Sequence, residues 1–142
     1  MLGQYDKASQ ELNTALEKGS NAAYLTLGEI YESMGDTVTA ESYYRTYTES
    51  GEADSETMNR LAVLAMARQD YDGALSFLLQ GLAMEHVPNR QELMRNQIAC
   101  LEYTGDFTGA WTVVQEYVMM YPEDLEAQRE YVFLKYRQGN EE

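Results

Sequence analysis

One cysteine, one histidine, one tryptophan and two prolines are scattered over 142 residues. A lone Cys100 excludes an intramolecular disulfide framework and a cysteine metal cluster. A lone His86, in the junction "MEHVPNRQE", excludes histidine-rich metal spacing and reads as a solvated loop residue rather than a base or switch. The longest apolar run, "LAVLAMA" from Leu61, has seven residues, far short of a membrane span. No signal-peptide pattern opens the chain, and nothing in it sets a cellular compartment. Basic residues are scarce, 10 against 24 acids, for a net charge of −14. The field of such an acidic protein repels phosphate backbones and anionic lipid, so nucleic acid and direct membrane insertion drop out as partners. Neither a G-x-S-x-G elbow nor a phosphate-cradling glycine loop occurs. The expectation is no enzyme, no metal and no cofactor.

Aromatics, by contrast, are plentiful at 11%, twelve of them tyrosine, the composition of a folded protein rather than a disordered tail. One phrase recurs: "GQYDKASQEL" from Gly3, "GDTVTAESYY" from Gly35, "QDYDGALSFL" from Gln69 and "GDFTGAWTVV" from Gly105. Its alanines, Ala8, Ala40, Ala74 and Ala110, are spaced by 32, 34 and 36 residues. The punctuating positions Gly3, Gly35, Gln69, Gly105 and Gly139 follow at 32, 34, 36 and 34. A period near 34 marks a helical repeat array.

Apolar residues between the punctuators have helical spacing: Tyr5, Ala8, Leu12 and Ala15 on one face, and Phe107, Ala110, Val114 and Tyr117 on another. Tyr24, Leu27, Gly28 and Tyr31 form a matching stripe ahead of Gly35. Each period is therefore two helices and a tight turn. Glycine past a helix end closes it in the left-handed conformation. The acid that follows, Asp36, Asp70 or Asp106, caps the next helix, the aromatic seals the corner, and the alanine lets two backbones approach. Gln69 is expected to close its helix at a higher conformational cost.

The stretch "YLTLGEIY" from Tyr24, the Ala40-to-Tyr44 spacing and Pro122 after Ala110 resemble the tetratricopeptide repeat family. The resemblance implies an all-α fold, a right-handed superhelical array of antiparallel helix pairs with about eight helices. Residues 1–142 then form one repeat domain. It has a second-helix remnant at 3–18, pairs at about 21–49, 53–84 and 90–120, and a capping helix at 124–138 before a "GNEE" tail. The chain reads as a piece of a longer one. Lys135 replaces the Tyr31, Ala65 and Leu101 of earlier units, as a solvated cap requires. Ile98 stands where Gly28 and Ala62 stand, so its helix pair should sit farther apart or tilt. Cys100 and Trp111 read as core, and the methionines as gap-fillers.

In the family the first helix of each pair lines the concave side. By that analogy the inner wall presents Leu25, Glu29 and Glu32, then Asn59, Val63 and Met66, then Arg95, Ala99 and Glu102, then Arg129, Phe133 and Tyr136. Arg60, Arg95 and Arg129 recur at 35 and 34 residues, two of them beside Asn59 and Asn96. Asparagine can hold a peptide backbone and arginine a carboxylate, while the plainer alternative pairs these arginines with nearby acids. The expected site is thus Asn59, Arg60, Met66, Arg95, Asn96, Arg129, Phe133 and Tyr136. It would take a protein segment with an acidic residue or a C-terminal carboxylate. The lysine–asparagine set of heat-shock-chaperone binders is not met, because Leu25, Glu29 and Glu92 occupy its places. Competing readings are homo-oligomerisation, to a homodimer through Tyr5, Leu12 and their neighbours, and the peptide-sensing part of a larger regulator.

Overall fold

The computed structural model describes residues 2–17 and 21–141. Among them are eight α-helices and no strand: α1 (Leu2–Glu17), α2 (Ala22–Ser33), α3 (Thr37–Tyr47), α4 (Ser55–Ala67), α5 (Tyr71–Leu82), α6 (Arg90–Tyr103), α7 (Phe107–Met120) and α8 (Leu125–Glu141). Consecutive helices pack against each other, α1 on α2 through to α7 on α8. The all-helical repeat expected from the sequence is the observed architecture.

Three corners are built alike. The N–H of Gly35 donates to the Glu32 carbonyl at 3.0 Å and that of Asp36 to the Tyr31 carbonyl at 2.9 Å, the paired bonds of a Schellman motif. Gln69 and Asp70, and then Gly105 and Asp106, repeat the arrangement. Each aspartate also begins the next helix: the carboxylates of Asp36, Asp70 and Asp106 accept from the N–H of Thr39, Gly73 and Gly109 at 3.2, 3.0 and 2.9 Å. One residue ends a helix and caps the next, so the two helices can only fold back on each other. The closing residues have positive φ: 84° at Gly35, 82° at Gly105 and 65° at Gln69. Gln69 therefore holds with a side chain the backbone that glycine adopts freely.

Between α3 and α4 the corner differs. A π turn over Thr48–Glu52 carries α3 onward until Gly51, at φ 88°, releases it. Asp54 then caps α4, accepting from the Thr57 N–H at 2.8 Å and the Thr57 hydroxyl at 2.6 Å. The outer punctuators behave otherwise: Gly3 falls inside α1, and α8 runs through Gly139 to Glu141 instead of stopping near Gln138. Asn140 follows that glycine in place of the aspartate that turns the other corners.

The second helices bury one register: Ala40, Tyr44 and Tyr47 in α3, Ala74, Leu78 and Gly81 in α5, and Ala110, Val114 and Tyr117 in α7. Spacings of four and seven residues put these on one helical face. The first helix α4 is buried on more sides, through Met58, Leu61, Ala62, Leu64 and Ala65, because it is flanked by neighbours in both directions along the array. The core is consequently strung out as successive clusters rather than gathered at one centre, as nearest-neighbour stacking demands. Ile98 is buried with Ala110 and Val114, and α6 and α7 are packed less closely than α2 and α3 or α4 and α5. That is the consequence of placing a large side chain where Gly28 and Ala62 are small.

Trp111 is half-buried, its ring 5.1 Å from that of Tyr131. Lys135 and His86 are exposed. Cys100 is fully buried, and burial pushes its thiol up to about 11. It stays protonated and unreactive at neutral pH. No helix among the described residues is long and apolar enough to cross a membrane. The side chain of Tyr5, expected at an exposed face, lies outside the described residues.

Candidate peptide groove

The first helices α4 and α6 touch directly, and polar side chains join them. Asn59, only 6% exposed, donates to Glu92 at 2.9 Å and accepts from the Asn96 amide at 2.8 Å. At the starts of the same helices the Ser55 hydroxyl donates to Asn89 at 2.6 Å. Buried amides need such partners, and these have found them within the array. Asn59 and Asn96 are therefore struts between repeats. Met66 is half-buried and packs on the core formed by α4, α5 and α6.

Two arginines of the stripe are likewise engaged. Arg60 reaches Glu29 at 3.2 Å and Glu56 at 3.3 Å, and donates at 3.3 Å to the Tyr44 hydroxyl. That hydroxyl in turn donates to Glu32 at 2.7 Å. Burial and the bond to Glu32 push the Tyr44 phenol up to about 12. Arg95 lies 3.7 Å from Asp124 and donates at 3.1 Å to Tyr117, whose hydroxyl donates to Asp124 at 2.6 Å. The Tyr117 hydroxyl and the Ala127 N–H hold the Asp124 carboxyl below its ordinary range. Arg129 is exposed on α8.

Where α4 and α6 are laced together, α6 and α8 leave a groove. Its volume is about 640 Å³, with Ile98 and Ala99 of α6, Phe107 and Val114 of α7, and Ala127 and Phe133 of α8 supplying apolar lining. Such a volume lies within the range of ligand-holding clefts. Phe133 is 53% exposed, an aromatic surface without a cover. Arg95 and Asp124 stand at the groove's edge, and Glu102, Glu126 and Glu130 line its walls.

Of the residues expected at the site, Arg95 and Phe133 line this groove. Arg60 lines a smaller recess among Glu56, Asn59 and Glu92, whereas Tyr136, 69% exposed, lines neither. From α8 the groove lining is Glu126, Ala127, Glu130 and Phe133, without Arg129 or Tyr136. The spacing of Glu126, Glu130 and Phe133, four and three residues, was the available signal.

The most unusual electrostatic feature is the meeting of Glu102 and Glu130 across the groove. Burial, and then hydrogen bonding with and repulsion by Glu130, push the Glu102 carboxyl up to about 7. Two carboxylates facing each other in a partly dry cleft favour keeping one proton.

Residues 22–50, the α2–α3 unit with its Gly28, match the family model described as tetratricopeptide repeat. The fold is that of a tetratricopeptide-repeat array. Solved structures of this architecture superpose over nearly the whole chain. MamA matches with a TM-score of 0.77 at 15% identity, over 96% of this chain and 80% of its own. YrrB, described as a TPR protein with an unusual peptide-binding site, matches with a TM-score of 0.78 at 18% identity, over 99% of this chain and 73% of its own. PilF of Pseudomonas aeruginosa matches with a TM-score of 0.74 at 18% identity, over 97% and 63%. At these identities the likeness is one of fold. No curated protein matches this chain in sequence.

Proposed function

We propose that this tetratricopeptide array is a non-enzymatic scaffold that holds a segment of a partner protein in the groove between α6 and α8. The observation that carries the reading is the open, apolar-floored cleft between two successive first helices, with the uncovered Phe133 on its wall. The structural likeness to YrrB, a TPR protein with a peptide-binding site, supports the same use of the fold. Catalysis finds little purchase: the thiol is buried and protonated, and the one histidine lies on an exposed loop. A ligand carboxylate, expected from the arginine stripe, would have to displace Asp124 from Arg95 or Glu29 and Glu56 from Arg60. That competition favours a segment recognised chiefly by its apolar side chains.

Random peptides displayed on phage and selected on the folded protein provide the test. Ala99→Trp fills the cleft and should abolish capture of the selected peptides, whereas Gln80→Ala, on the exposed side of α5, should leave it unchanged. Circular dichroism confirms that both variants stay helical. Peptides that bind the Ala99→Trp protein as tightly as the parent would overturn the groove assignment.

A further inference from the structure

The three guanidiniums that suggested an acidic ligand do not control the charge of this groove. Arg95 is the one base lining it, and Asp124 and the Tyr117 hydroxyl already engage that base. What remains on the walls is Glu102 from α6 with Glu126 and Glu130 from α8. From α7 the lining is Phe107 and Val114, without charge. Tyr103, beside Glu102, stacks on Tyr71 at 4.8 Å and shows its other side to solvent. Among the described residues that line the groove, no base other than the engaged Arg95 accompanies these carboxylates.

Aromatic rings complete the setting. Phe107, Phe133 and Tyr103 line the same groove. The array already seats one guanidinium on this surface: Arg137 lies 3.8 Å from the centre of the Phe107 ring. A cation over an aromatic face, with carboxylates within reach of its N–H groups, is a favourable combination. The net charge of −14 draws cationic segments toward the whole molecule.

We infer that the segment this groove selects is a basic one, with an arginine or lysine side chain placed between Glu102 and Glu130 and apolar neighbours seated on the Ile98–Val114 floor. The inference rests on the groove being the binding site. In the free protein the carboxyl pair retains a proton near neutrality, since Glu102 titrates at about 7. An incoming ammonium or guanidinium takes over that proton's neutralising role, so one proton leaves as the segment binds. Glu126, Asp124 and Arg95 are the other charged groups lining the groove, and Arg137 is seated on its Phe107. Affinity then rises with pH, by about tenfold between pH 6 and pH 8 for a single group titrating near 7.

The test uses two blocked peptide pools of identical apolar pattern, one with arginine at its central position and one with glutamate. Fluorescence polarisation reads their affinities at pH 6, 7 and 8. The arginine pool should bind at least roughly tenfold more tightly, as expected for a charge-assisted hydrogen bond. It should also strengthen as pH rises. The double variant Glu102→Gln/Glu130→Gln, which preserves shape, should remove both the preference and the pH dependence while apolar binding persists. Calorimetry of the tightest arginine peptide in buffers of different ionisation enthalpy should show release of close to one proton at pH 6 and progressively less as pH rises through 7. Equal binding of the glutamate pool, or unchanged arginine binding by the double variant, overturns this inference and leaves the groove reading standing if Ala99→Trp still blocks. Binding that survives Ala99→Trp overturns both.

Discussion

At Gly28 the array has no room for a methyl group. A Cβ there would sit 2.5 Å from the Tyr44 ring, and Tyr44 is fully buried with its hydroxyl fastened between Glu32 and Arg60. The ring cannot swing away without breaking those bonds. Gly28→Ala should destabilise the fold by about 1–3 kcal/mol, the usual range for overpacking a filled core. Thermal unfolding followed by circular dichroism should show a midpoint lowered by several degrees, and an unchanged midpoint would mean the ring moves freely. Gly28 was legible as a close-approach residue because it lies in "YLTLGEIY", with the small Ala62 at the matching place of the next unit. Asn59 and Asn96 bond to each other across successive first helices. Their side chains look available on a helical wheel, but a wheel does not show the neighbouring first helix that receives them.

At the scale of the element, the corners are the units the chain repeats. Their legibility rests on local chemistry: a residue with positive φ, an aspartate that both closes and caps, and an alanine four residues after that aspartate are all set within one turn of backbone. Gln69 is the exception, holding φ 65° with a side chain attached, a conformation disfavoured by roughly 1–2 kcal/mol for an L-residue. Glycine relieves that strain and gives back part of the gain through a freer unfolded chain. Gln69→Gly should accordingly stabilise the protein by roughly 0.5–1 kcal/mol, as the net of those two effects, and raise its unfolding midpoint. A lowered midpoint would show that the glutamine side chain contributes something the backbone geometry does not reveal. Helix α8 teaches the converse. Which of its residues line the groove, Phe133 among them, is decided by how Leu134 and Ala127 bury in the core they share with α6 and α7.

For the whole molecule, the acidic balance and the groove carboxyls set the response to pH. Glu102 has a folded-state value of about 7, raised from 4.5, so the fold favours its protonated form. That contribution is fully present below about 4.5 and is lost as pH rises through 7. Asp124 is shifted the other way; its contribution is present above its ordinary range and disappears only in acid. Between pH 5 and pH 8 the unfolding midpoint should fall, and Glu102→Gln should flatten that fall by removing the titration. An equally steep decline in the variant would assign the effect to general repulsion among the acids instead.

Helix, corner and repeat were readable from the chain alone because they depend on residues within a turn or two of each other: the 34-residue period, the capping aspartates and the buried alanines. Which side chains remain free to meet a partner depended on the stacking of one repeat on the next. That stacking ties Asn59 to Asn96, gives Arg95 to Asp124, and leaves Glu102 facing Glu130 across an unfilled cleft. Contacts between residues some thirty positions apart follow from how whole helices pack, and local pattern carries no record of them.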